Sequence, residues 1–93
     1  MILRDGNRLT VQGAVTIDNV VAVTEQGAVL FDGDDLVIDL AQMTEVDSSA
    51  VSMLLEWQRK ARSHNRQLHF TNLPNTLKSL AQLYGVSELI PLV

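Results

Sequence analysis

The side chains of this 93-residue sequence that could be assembled for nucleophilic or acid–base chemistry are Asp47, Ser48 or Ser49, with His64 or His69. A hydrolytic triad needs nucleophile, base and orienting acid within hydrogen-bond reach of one another. Spacing forbids it here. With a helix over Ser49–Ser63, His64 stands about 15 residues beyond the serines, or ~22 Å at 1.5 Å per residue. His69 falls on the next strand, where a structural role is the simpler assignment. The two histidines lack the i,i+4 spacing of a helical metal site, and the absence of cysteine removes thiolate ligands and disulfides. The glycines form neither a phosphate-binding loop nor a dinucleotide fingerprint. These residues imply a non-enzymatic protein with no catalytic group, metal or cofactor.

What remains is the corner Asp47-Ser48-Ser49-Ala50 inside Leu36–Gln58, where a strand passes through a short polar loop into a helix. Small hydroxyl residues at a helix start cap free N–H groups, worth about 1 kcal/mol. No Glu or Gln follows three residues later to complete a capping box, and two serines exceed what one cap needs. A phosphoryl group at this position would sit at the positive end of the helix dipole. It would add about −2 charge beside Asp47 and Glu45, repelling a docked partner. Along the helix, Ala50, Leu54, Trp57 and Ala61 form one centre flanked by Val51, Met53 and Leu55, an apolar arc of roughly 200° against the ~100° a single core face requires. Either the domain buries most of this helix, or some of Val51, Met53, Leu55 and Trp57 stay exposed for a partner. The candidate partner-binding residues are Asp47, Ser48, Ser49, Val51, Ser52, Leu55 and Trp57, with Ser49 also a possible phosphorylation site.

The elements that must position this corner are legible in part. Asp5-Gly6-Asn7 marks a turn between Ile2-Leu3 and a strand over Arg8–Val15, a hairpin. Ile17–Leu30 has the spacing of an amphipathic helix, with Thr16 or Asp18 to cap it and Phe31–Asp35 to end it. Leu36–Leu40 is nearly continuous in apolar character, as expected of a central strand covered on both faces. Gln67–Thr71 is the next strand, and Asn72-Leu73-Pro74 turns into a helix whose stripe is Leu77, Leu80, Ala81 and Tyr84, closed by Gly85. Leu89–Val93, containing Pro91, predicts a final edge strand. The order ββαβαβαβ describes one α/β layer, a mixed sheet with parallel crossovers packed by helices.

Length fits one small domain over residues 1–93. A net charge of −4 disfavours sequence-independent nucleic-acid binding. There is no apolar signal-peptide core at the N-terminus and no run near the ~20 apolar residues of a membrane span, so a membrane would be reached only through a partner. Six acids from Asp32 to Asp47 run without an intervening base, while Arg59, Lys60, Arg62 and Arg66 gather at the far end of the central helix. This polarity suits the helix dipole, and Asp32–Asp35 could face the basic cluster.

Across essentially its whole length the chain resembles the STAS domain family, named for sulfate transporters and anti-sigma factor antagonists. The N-terminal strand pair, the apolar strand carrying Asp39, the corner LAQMTEVDSSAVSMLLE, the Asn72-Leu73-Pro74 turn and the apolar helix after it carry the resemblance. It implies the STAS fold and one of two roles. In one branch, a small cytoplasmic STAS subunit supports the ATPase subunit of an ABC complex that moves phospholipids and maintains outer-membrane lipid asymmetry. The hydroxyl residue after Asp, here Ser48, lies in that contact. In the other branch, an anti-sigma factor antagonist is phosphorylated by an anti-sigma factor kinase on the second serine, here Ser49. The ending Ser79–Leu92 favours the ABC branch, which implies a cytoplasmic protein peripheral to the inner membrane through its partner. Ala50 departs from the usual glycine. A small-molecule or nucleotide sensor using the C-terminal end of the central strand is a third possibility.

Overall fold

The computed structural model describes residues 1–31 and 35–93. Three strands, β1 (Ile2–Asp5), β2 (Arg8–Val11) and β3 (Gly13–Val15), precede helix α1 (Val20–Ala28). β4 (Leu36–Asp39) and β5 (Met43–Val46) lead into α2 (Ser48–Ser63). β6 (Leu68–Thr71), α3 (Asn75–Leu83) and a 3₁₀ turn over Ser87–Leu89 complete the chain. The main sheet has the order β1-β2-β4-β6. β1 and β2 form the expected antiparallel hairpin, and β2–β4 and β4–β6 are parallel.

The expected strand Arg8–Val15 is two strands. Gly13, at φ +88°, breaks it after Gln12, and the central strand breaks at the same level after Asp39. The ladder resumes as a separate parallel pair, β3–β5. Gly13 N–H donates to the Gln42 carbonyl (3.0 Å) and the Gln12 and Gln42 side chains bond each other (2.8 Å). The stretch expected to be a polar loop is thus half strand.

The central strand is covered on one face, not two. Leu36, Ile38 and Leu40 are buried, whereas Val37 and Asp39 are only half-buried. Chain order gives the reason. Successive parallel strands are added in one direction across the sheet, so right-handed crossovers place α1 and α2 on the same face. There Leu9, Val11, Phe70 and Leu68 meet Ala50, Leu54, Trp57 and Ala61 of α2, with Leu77 and Ala81 of α3 completing the core. α2 packs against both α1 and α3, the geometry that buries a wide arc.

Smaller differences have local causes. α1 starts three residues later than expected because Thr16–Asn19 forms a turn. Asn19 accepts from Thr16 N–H (2.9 Å) and donates to the Ala14 carbonyl (2.8 Å). Asn19 therefore holds the N-cap position, and neither Thr16 nor Asp18 caps the helix. Tyr84, expected on the buried stripe of α3, is exposed, while Leu77 and Ala81 are buried. Gly85 follows at φ +69°, the left-handed residue that ends such helices. The final strand reduces to a parallel bridge of Leu92 to Phe70, with Phe70 N–H donating to the Pro91 carbonyl (2.8 Å). Pro91 has no N–H to extend a ladder, and the bridge does lie at the sheet edge beside β6. Of the expected acidic partners of the basic cluster, Asp32 and Asp34 lie outside the described residues. Asp35 accepts from Gln67 N–H (2.9 Å), next to Arg66.

Candidate functional site

β5 delivers Asp47 in extended conformation (φ −125°, ψ −171°) to the start of α2, where it is the N-cap. Both of its carboxylate oxygens accept hydrogen bonds. Oδ1 accepts from the backbone N–H of Ser49 (2.9 Å) and from the Ser49 hydroxyl, while Oδ2 accepts from Ile17 N–H (2.9 Å). One side chain therefore caps α2 and ties down the turn before α1. The two serines are separated in role by this bond. Ser49 is half-buried, its hydroxyl committed to Asp47, whereas Ser48 and Ser52 are exposed one helical turn apart.

The Ser49 hydroxyl and then the Ile17 N–H hold the Asp47 carboxyl below its ordinary 3.8. At the end of β4, Asp39 is lowered likewise, first by Ala41 N–H and then by the Asn72 side chain and Arg8, whose Nη2 is 2.8 Å away. Both groups bind protons less readily folded than unfolded, so stability is complete above the unfolded value and falls as pH drops through the lowered one. Thermal midpoints should therefore be flat above about pH 5 and drop below about pH 4. The Asp47→Asn variant should begin lower and lose less on acidification. A variant that tracks the native acid profile at a constant offset would exclude Asp47 from this linkage.

Above α2 lies an open apolar groove of about 790 Å³. Ile17, Val20, Val21 and Thr24 form one wall, Tyr84 and Val86 the other, and Ser48, Ser52 and Leu55 lie along α2 between them. Ile17 is 74% exposed, Val21 69% and Tyr84 54%, so three large apolar groups border one groove. Neither Ile17 nor Val21 nor Tyr84 stood among the sequence candidates. The signal was the width of the α1 pattern: Val23 and Gly27 face the core, and the surplus at Ile17 and Val21 belongs to a second face.

Two candidates move the other way. Trp57 is 1% exposed and Val51 3%, and Met53 is also buried. Trp57 lies between α2 and α1, donating from Nε1 to the Thr24 carbonyl (2.9 Å) and meeting Phe31 edge-on with centroids 5.9 Å apart. It is a core residue of this fold, with almost no surface to offer a partner. Val51 is likewise buried, beneath the groove. Leu55 alone of the four apolar candidates on α2 stays half-exposed, because α1 and α3 take up the rest of the arc. His64 is the C-cap of α2, at the opposite end of the helix from the serines. Among the described residues no cluster of three or more metal-ligating side chains occurs, and no helix is long and apolar enough to cross a membrane.

A mixed sheet with helices packed on one face, and a hydroxyl-rich helix start after the central strand, defines a STAS domain. The chain belongs to the family described as Mlab, STAS domain, whose model matches residues 2–92. Among solved structures it is similar to a chain of the Acinetobacter MlaFEDB complex in its ATP-bound Vtrans1 conformation, with 23% identity over all of both chains and a TM-score of 0.84. It is also similar to the anti-sigma factor antagonist SpoIIAA in its unphosphorylated form, with 12% identity over 100% of this chain and 86% of that one and a TM-score of 0.74. An anti-sigma factor antagonist from Mycobacterium paratuberculosis matches at 20% identity over 99% and 81% of the chains, TM-score 0.76. At these identities the likeness is one of fold. No curated protein matches by sequence.

Proposed function

We propose that this chain is a non-enzymatic STAS subunit of a lipid-transporting ABC complex, docking on and supporting its ATPase subunit. In this reading it serves the maintenance of outer-membrane lipid asymmetry and is held in the cytoplasm at the inner membrane through its partner. The observation that carries the proposal is the apolar groove beside exposed Ser48 and Ser52, in a chain of the MlaB family. Such a surface suits a protein partner better than a reaction. The tagged protein should co-purify with the ABC ATPase expressed with it. Ser48→Arg should weaken that association about tenfold or more without changing the fold, because Ser48 is exposed and a long cation at the groove end obstructs a close neighbour. Recovery of a kinase-like anti-sigma factor and no ATPase would sink the proposal.

That outcome would support the second reading, an anti-sigma factor antagonist regulated at Ser49. The hydrogen bond from Ser49 to Asp47 favours it to this extent: a phosphate on Ser49 would remove the donated proton and face the carboxylate that anchors Ile17. Ser49→Ala is then switch-breaking for an antagonist and mild for a transporter subunit.

A further inference from the structure

We infer that the groove receives an amphipathic helix of the partner, with an apolar stripe flanked by lysine or arginine. The inference rests on the reading of this face as the docking site and adds the chemistry of what docks. The occupant's conformation follows from the walls. α1 and α2 satisfy their own backbone groups, so the groove offers no unpaired N–H or C=O row to an added strand. A helix brings its hydrogen bonds with it and presents only side chains. Ile17 and Val21 on one side and Tyr84 on the other offer apolar walls to the stripe of such a helix. The groove is open along its length, with Ser48, Ser52 and Glu56 exposed between the walls, unlike the enclosing pockets that bury most of a small ligand.

The flanking charge follows from the rims. Glu25 on α1 and Glu56 on α2 line the groove, Asp18 adjoins Ile17, and Asp47 stands at the corner end. The first cation along α2, Arg59, is paired with Glu56. Glu25 has no ion-pair partner among the described residues. The cations Lys60, Arg62 and Arg66 lie toward the other end of α2. An anionic lipid surface would be repelled by these rims, and a second copy laid groove to groove would set acid against acid. A basic helix meets apolar walls at Ile17, Val21 and Tyr84 and the carboxylates of Glu25 and Glu56 at once.

Two synthetic helical peptides of roughly 18 residues, sharing one leucine stripe but flanked by either lysine or glutamate, test this by titration calorimetry against the whole protein. The lysine peptide should bind about tenfold or more tightly than the glutamate peptide, with the gap narrowing in about 0.5 M salt and in Glu25→Lys. Val21→Asp, at an exposed position, should abolish binding of both while leaving the circular dichroism spectrum unchanged. Equal affinities, or a lysine preference that Val21→Asp leaves intact, would overturn the inference. So would self-association of the chain through the groove, blocked by Val21→Asp. If the ATPase fails to co-purify, the function proposed above falls and the peptide result stands. If the ATPase binds and neither Val21→Asp nor Glu25→Lys weakens it, the function stands and this inference falls.

Discussion

Trp57→Ala should destabilise the protein by about 3–5 kcal/mol, the range for removing a large aromatic from a core. That is a large share of the ~5–15 kcal/mol by which a domain of this size is folded. Trp57 is the largest of the fully buried side chains, and three losses coincide there: its apolar volume, the edge-on contact with Phe31, and the hydrogen bond to the Thr24 carbonyl. All three join α2 to α1 or the residues just after it, so the substitution loosens the α1 wall of the groove from α2 as well as lowering stability. At roughly 4 °C or more per kcal/mol for a domain this small, the thermal midpoint should fall by at least about 12 °C. A drop of only a few degrees would mean that α1 repacks freely onto α2. The sequence expectation of Trp57 as a contact residue makes the opposite prediction, a stable protein with a lost partner.

Gly27→Ala should also destabilise, by about 1–3 kcal/mol, although alanine is the better helix former by ~1 kcal/mol. Gly27 faces the indole of Trp57 across the α1–α2 contact. A methyl group built there would lie 2.3 Å from Trp57 Cζ2 and 2.6 Å from Cε2, so the ring or the helix must move. The decisive measurement is the double-mutant cycle. In a Trp57→Ala background the ring is gone and the same methyl enters vacated space, so Gly27→Ala should become neutral or stabilising. A substitution that destabilises equally in both backgrounds would remove the steric explanation.

These two residues also show why the candidate site was only half legible. The apolar arc on α2 is wider than one core face needs, but width alone does not say what covers the surplus. Gly27 is a mid-helix glycine of no obvious use in the sequence. It is the partner that lets Trp57 become interior. Conversely, the amphipathic spacing of Ile17–Leu30 does not separate Ile17 and Val21 from the buried Val23, because apolar character does not distinguish a residue facing a sheet from one facing an unfilled groove. The Asp47–Ile17 hydrogen bond joins residues 30 apart, and no local pattern encodes it. The break at Gly13 is hidden in the sequence for a similar reason. Its effect on the ladder depends on the matching break after Asp39, in a strand reached only through α1.

Periodicity and turn chemistry are local, and they were enough to determine the α/β order, the hairpin, the helix start at Asp47-Ser48-Ser49 and the distance that removes His64 from the serines. The motifs were also enough to place the chain among STAS domains. Which face of each helix meets water depends on how three helices share one side of a four-stranded sheet, and that is a property of the assembled layer. Tertiary structure alone buried Trp57 and Val51, separated an exposed Ser48 from a Ser49 bonded to Asp47, and opened the groove between Val21 and Tyr84. The physical reason is that burial is decided between elements distant in sequence, by packing that no single segment carries within itself.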